Sequence, residues 1–158
     1  MPTQSNVKVD YPKLKTLREE TGVSFSLCKK ALEETQNNIE KAKKLLIQWG
    51  AEKVSEKAGR STHQGAIFSY VHHNKQIATL IEILCETDFV SGNSEFQKIG
   101  SEFAMQLASM PAETVEELMK QVYIRDPSKK LEDLFNEMVL KFGENIKVKR
   151  ILRWTLGK

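Results

Sequence analysis

The sequence predicts an α+β fold in which an N-terminal three-helix module precedes a small three-stranded antiparallel sheet covered by helices. Three observations carry that reading. Residues 7 to 50 place apolar side chains at helical spacing and are punctuated by glycines. Two apolar runs between residues 66 and 86 are separated only by the polar turn His73-Asn74-Lys75, the pattern of a hairpin. After further helical stripes, residues 148 to 156 alternate apolar and basic side chains as a third strand would. The order β-β-α-α-α-β puts the helices of this second part on one face of the sheet.

In chain order, the first part reads as helices from Tyr11 to Thr21, from Ser26 to Gln36 and from Asn38 to Trp49. Gly22 and Gly50 suit the left-handed residue after a helix end, and Ser26 and Asn38 offer oxygens to the exposed amides that open the next helix. Ile39, Ala42, Leu46 and Trp49 form one stripe of the third helix, facing Leu14 and Leu17 of the first and Leu27, Cys28, Ala31 and Leu32 of the second. A module of about 45 residues is small enough to be marginal alone. The polar run AEKVSEKAGRSTHQ follows, so the expected division is a helical domain over residues 1–55, a linker over 56–64 and an α+β core over 65–158. In the core, Ala66 to His72 and Gln76 to Glu86 are the hairpin strands, and the second, apolar on both faces, is expected to be central. Phe96, Ile99, Phe103, Leu107 and Met110 mark a helix from Ser94 to Met110; shorter helices follow from Ala112 to about Gln121 and from Ser128 to Phe142, the latter stopping at Gly143. On the last strand Val148, Leu152, Trp154 and Leu156 alternate with Lys147, Lys149, Ile151 and Arg153, which predicts Val148, Leu152 and Trp154 in the core.

Composition narrows the function. The chain has 158 residues, 40% of them hydrophobic and 28% charged, enough apolar content to close a core beneath a charged surface. No apolar run reaches the roughly 18 residues a membrane span needs, and MPTQSNVKVD has neither the basic nor the apolar region of a secretion signal, so a cytoplasmic protein is expected. Cys28 and Cys85 lie far apart without C-x-x-C spacing, and His72 and His73, adjacent at a strand end, are expected to diverge, so no metal is expected. The glycines match no phosphate-binding loop, so neither a nucleotide nor another cofactor is expected on the chain itself. Cys85 in an apolar run reads as packing rather than as a nucleophile. A net charge of +3 does not announce a nucleic-acid binder, and the basic residues of KVKRILRW read most simply as a guarded strand edge.

The stretch CETDFVSGN follows directly on the apolar run ATLIEILC. It sets Asp88 beside Phe89 where a strand turns into a helix, and consecutive strand side chains point to opposite faces, so one of the two is expected to face out. From the residues alone Phe89 is either an outward ring or a core ring tucked under the next helix, and Asp88 is either a contact residue or a cap.

Three pieces, L-R-x-x-T-G, C-K-K-A-L and above all E-T-D-F-V, stand in this order within LREETGVSFSLCKKALEET and GAIFSYVHHNKQIATLIEILCETDFVSGNSEFQ, followed by FGENIKVKR. Over nearly its whole length the chain closely resembles the elongation factor Ts family, the guanine-nucleotide exchange factors of elongation factor Tu. The resemblance implies a ubiquitin-associated-like fold for the helical module and an exchange factor rather than an enzyme. It implies that Phe89 wedges between two helices of the partner near its magnesium site, with Asp88 holding the wedge by polar contacts and Thr87 and Val90 completing the corner. The nucleotide is then loosened indirectly, since a protein that prefers the empty GTPase weakens GDP binding by the same factor. Arg18, Gly22, Val23, Ser24, Phe25 and Ser26 correspond to positions that the family sets against its partner's nucleotide-binding domain. Here Ser24 replaces a frequent glycine, Phe25 and Ser26 frequent methionines, Leu27 an acid, and Gly92 a frequently basic residue. With one core half and no room for a projecting hairpin, the chain resembles the short bacterial type, whose members can pair two cores into a homodimer, and the sequence leaves open whether this one does. Neither membrane nor direct nucleic-acid binding is implied. Two other classes remain: a ubiquitin-associated-type adaptor insensitive to Phe89, and an RNA-binding module using Lys147, Lys149, Arg150 and Arg153, whose affinity would fall steeply with salt.

Overall fold

A computed structural model describes residues 7–158, so residues 1–6 of the expected first domain lie outside the described residues. The architecture is α+β, as the sequence predicts, and the chain divides into two compact units. One comprises residues 7–56 with Asn136–Gly143, the other Lys57–Phe135 with Glu144–Lys158.

In the first unit α1 (Tyr11–Thr21), α2 (Phe25–Glu34) and α3 (Ile39–Lys57) enclose Leu14, Leu17, Val23, Cys28, Leu32, Ala42, Leu46 and Leu140. Asp10 caps α1 by accepting from the Lys13 amide, and Gly22, at φ 66, closes it with its own amide on the Arg18 carbonyl. That left-handed conformation is what glycine adopts without cost. Two boundaries differ from the sequence reading. The residue that caps α2 is Ser24, not Ser26, because the chain already turns at buried Val23 and the Ser24 hydroxyl accepts from the Leu27 amide. Gly50 does not end α3, which continues to Lys57. Gly50 serves close approach instead: a Cβ there would stand 2.3 Å from the Asn136 carbonyl oxygen.

The second unit is built on β1 (Gln64–Val71), β2 (Ile77–Cys85) and β3 (Lys147–Thr155), antiparallel in the order β1-β2-β3, so β2 is central as its two apolar faces require. Between β2 and β3 come α4 (Asp88–Ser91), α5 (Ser94–Ser109), α6 (Val115–Lys120) and α7 (Leu131–Phe142), the last divided between the units at Phe135. Helix α5 covers one face of the sheet with Phe96, Phe103 and Leu107, all buried, while Met110 at its end is exposed. The Phe68 and Phe96 ring centroids lie 5.8 Å apart, and Gly100 lets Phe68 approach α5 so closely that a Cβ would sit 2.2 Å from the ring. Thr79, buried in β2, donates its hydroxyl to the Ala104 carbonyl at 2.7 Å.

On β3 the predicted core is overturned. Leu152 and Trp154 are 41% and 67% exposed, on the face opposite α5, while Ile151 and Arg153 occupy the covered face. A register shift between Glu82 and Ile83 explains the error. It pairs Ile83 with Val148 and Ile81 with Ile151, so the half-buried Val148 shares the covered face with Ile151, and alternation is reversed beyond the irregularity. Arg153 fits its inward place because its guanidinium donates to the Leu107 and Ala108 carbonyls at 3.0 and 3.1 Å, two of the acceptors left over where α5 ends. The open face consequently presents Ile67, Val71, Leu80, Leu152 and Trp154, with Leu156 just beyond the strand. At the hairpin, His72 and His73 do not diverge: the strand ends at Val71, and the two rings stand 4.2 Å apart.

After α6, Tyr123 donates its hydroxyl to Glu102 at 3.1 Å, and Arg125 pairs with the same carboxylate. Burial first, then the Glu102 charge, push the phenol from 10.0 up to about 12. A raised value means that the folded state holds this proton more tightly, so its contribution to stability is complete below pH 10.0 and is lost as pH rises toward about 12. Melting temperature followed upward from pH 9 to the alkaline limit should therefore fall less steeply in Tyr123→Phe than in the wild type; parallel curves would contradict this.

Candidate functional site

Strand β2 delivers the chain to a tight corner. Thr87, in extended conformation, caps the single turn α4, its hydroxyl accepting from the Val90 amide at 3.3 Å. Asp88 and Phe89 are therefore successive helical residues rather than strand residues, and both project outward. Phe89 is 85% exposed, whereas Val90 beside it is buried and anchors the turn. Strand alternation, which expects one of the pair to face in, does not apply to α4.

Side chains from distant sequence fix the corner. The Glu144 carboxylate accepts from the Glu86 amide at 3.0 Å, the Thr87 amide at 3.1 Å and the Thr87 hydroxyl at 2.5 Å. In return the Glu86 carboxylate accepts from the Asn145 amide at 2.7 Å and faces the Arg60 guanidinium at 3.5 Å. The Asn145 amide donation, then the Arg60 charge, hold the Glu86 carboxyl below the usual carboxylate range against an opposing effect of burial. Asn145 also donates its side-chain amide to the Arg60 carbonyl at 2.7 Å. Beneath the corner Cys85 donates to the Thr87 carbonyl at 3.2 Å, and burial raises its thiol above the ordinary value, which keeps it a protonated donor. Sequence reasoning gives no role to Arg60, Glu144 or Asn145, and Glu86 enters it only as the end of a strand and the first letter of E-T-D-F-V. The available signal was that Glu144 and Asn145 lie in the FGENIKVKR run.

The helical-module residues belong to the other unit and form a patch of their own. Arg18, Ser24, Phe25 and Ser26 are exposed, Gly22 is half-buried, and Val23 is fully buried, so Val23 shapes the loop from within. Phe25 lies 6.5 Å from the Tyr11 ring, giving an apolar pair on the surface, and the Ser24 and Ser26 hydroxyls are 3.3 Å apart.

A family model described as "Elongation factor TS" matches residues 86–157, beginning at the corner, and one described as "Elongation factor Ts, mitochondrial, N-terminal" matches residues 1–53. Among curated relatives, the elongation factor Ts of Thermotoga neapolitana is 36% identical over 96% of this chain and 99% of its own length. That of Coprothermobacter proteolyticus is 35% identical over 92% of this chain and 96% of its own. The chain belongs to the elongation factor Ts family. The elongation factor Ts of Thermosipho melanesiensis, 36% identical over 92% of this chain and 97% of its own length, agrees. Elongation factor Ts is a translation elongation factor, and protein biosynthesis is the process in which this chain takes part. Among the described residues no helix is long and apolar enough to cross a membrane.

Proposed function

We propose that the protein is a guanine-nucleotide exchange factor that binds elongation factor Tu in the cytoplasm and promotes release of its GDP. The observation that carries this reading is Phe89, a large ring 85% exposed on a one-turn helix whose entry is pinned by Glu144. Leaving so much apolar surface in water is unfavourable, and a ring of this kind is the usual anchor of a partner interface. Asp88 at its side supplies a polar contact, Thr87 and Val90 hold the turn, and the exposed patch of Arg18, Ser24, Phe25 and Ser26, shaped by Gly22 and Val23, is a second contact surface. No bond of the nucleotide is made or broken: the chain acts by binding the empty GTPase more tightly than its GDP form. By linkage, GDP must then weaken binding of this chain by the same factor. Calorimetric titration of the chain into nucleotide-free and GDP-loaded elongation factor Tu tests this, and equal affinities would refute it. The RNA-binding reading is disfavoured because Arg150 pairs with Glu82 and Arg153 is turned inward onto the end of α5.

A homodimer through the core is a second part of the reading, and the open face of the sheet favours it over the sheet edge. Ile67, Val71, Leu80, Leu152 and Trp154 lie together there, a larger apolar expanse than a solitary sheet face needs. Trp154→Lys should convert a dimer into a monomer in sedimentation velocity runs. A monomeric wild type at tens of micromolar would overturn this part alone.

A further inference from the structure

We propose that Glu144 is a positioning residue for nucleotide exchange, acting solely by holding the corner in the orientation that presents Phe89. The inference rests on the exchange reading above and adds to it a half-buried residue from outside the wedge turn.

Strand pairing ends with Cys85 opposite Gln64, so the amides of Glu86 and Thr87 lie beyond the β1 ladder. Both point at Glu144 Oε2, while the Thr87 hydroxyl donates to Oε1, so one carboxylate takes three donors from two consecutive residues. Charge-assisted bonds of this kind are stronger than bonds between neutral groups. The arrangement is reciprocal, since the Glu86 carboxylate takes the amide of Asn145, the residue after Glu144. Each segment grips the backbone of the other. Two crossed attachments fix orientation as well as distance, which a single bond would not. Thr87 stands at the centre: it donates to Glu144 and accepts from the Val90 amide, so the carboxylate also sets the first turn of α4, on which Phe89 is the second residue. Glu144 therefore orders the wedge before any partner arrives, and a ring already ordered loses less freedom on docking than a mobile one.

Removing the carboxylate should lower the fraction of molecules whose corner is competent without changing what the competent corner does. Apparent affinity falls by that fraction, while the rate at saturation is kept. In stopped-flow release of a fluorescent GDP from elongation factor Tu, titrated with the chain, Glu144→Ala should raise the half-saturating concentration by about fivefold or more with little change in plateau. Phe89→Ala should lower the plateau itself. In the Phe89→Ala background the Glu144 substitution should have a much smaller effect, only what remains through Asp88 on the same turn; an effect as large as in the wild type would show a role unrelated to positioning. The Glu86 and Thr87 amides should also lose protection from hydrogen exchange in Glu144→Ala. If Glu144→Ala does not fold, Glu144→Gln, which keeps the size but loses the charge and one acceptor oxygen, takes its place with the same expectations in a smaller measure. A wild type that accelerates release and a Phe89→Ala that does not, together with a Glu144 variant identical to wild type, would overturn the inference and leave the exchange reading standing. A wild type that accelerates nothing would remove both.

Discussion

Phe89→Ala is expected to reduce stimulated GDP release from elongation factor Tu by about tenfold or more, the rate equivalent of about 1.4 kcal/mol, while the melting temperature barely moves. Both halves follow from one number. At 85% exposure the ring contributes almost nothing to the packing of its own domain, so deleting it opens no cavity. The same exposure leaves it available to enter a pocket on a partner, where truncation of a buried aromatic commonly costs roughly 2 kcal/mol or more. Asp88→Ala should act in the same direction and more mildly, since Asp88 is exposed beside the ring. A stopped-flow trace and a thermal melt on each variant check the expectation. A large fall in melting temperature with unchanged exchange per folded molecule would return the corner to ordinary packing.

The second large effect concerns the core. Phe103, fully buried on α5, should cost about 3–5 kcal/mol when replaced by Ala, the usual range for an emptied aromatic site. Trp154→Ala, on the open face of β3, should cost the dilute chain less than about 1 kcal/mol despite removing a larger ring, because a substitution at the surface forfeits little packing. Urea denaturation of both variants at low concentration separates the two. A Trp154 effect equal to that of Phe103 would mean that the open face is covered within the monomer.

Much of this organisation is legible in the sequence because it depends on short-range patterns. The stripe Ile39, Ala42, Leu46 marks α3, and the polar turn after His72 marks the hairpin. The apolar character of β2 on both faces is the direct signature of a central strand. What could not be read depends on structure that periodicity does not encode. Helix α4 spans only four residues, too few to show a helical period, so the corner looks like a continuation of the strand. The face of Trp154 depends on an irregularity in the pairing of β2 with β3, and alternation along β3 alone gives the wrong phase beyond it. Gly50 is identical on paper whether glycine is needed for a left-handed turn or for another backbone passing close by. The grip of Glu144 on Thr87 joins residues 57 positions apart, and a glutamate before a strand carries no local mark of that task. Likewise, Val23 sits in an exposed-looking loop, and only the packing of the helical module shows that its side chain turns inward.

If this chain loosens GDP on elongation factor Tu, one kinetic measurement reads it directly. Purified elongation factor Tu is loaded with a fluorescent GDP analogue, mixed with excess unlabelled GDP, and followed in a stopped-flow instrument with and without this chain at micromolar concentration. Release should accelerate with chain concentration and then saturate. Release at the same rate in both traces, with the chain shown to be folded, would contradict it.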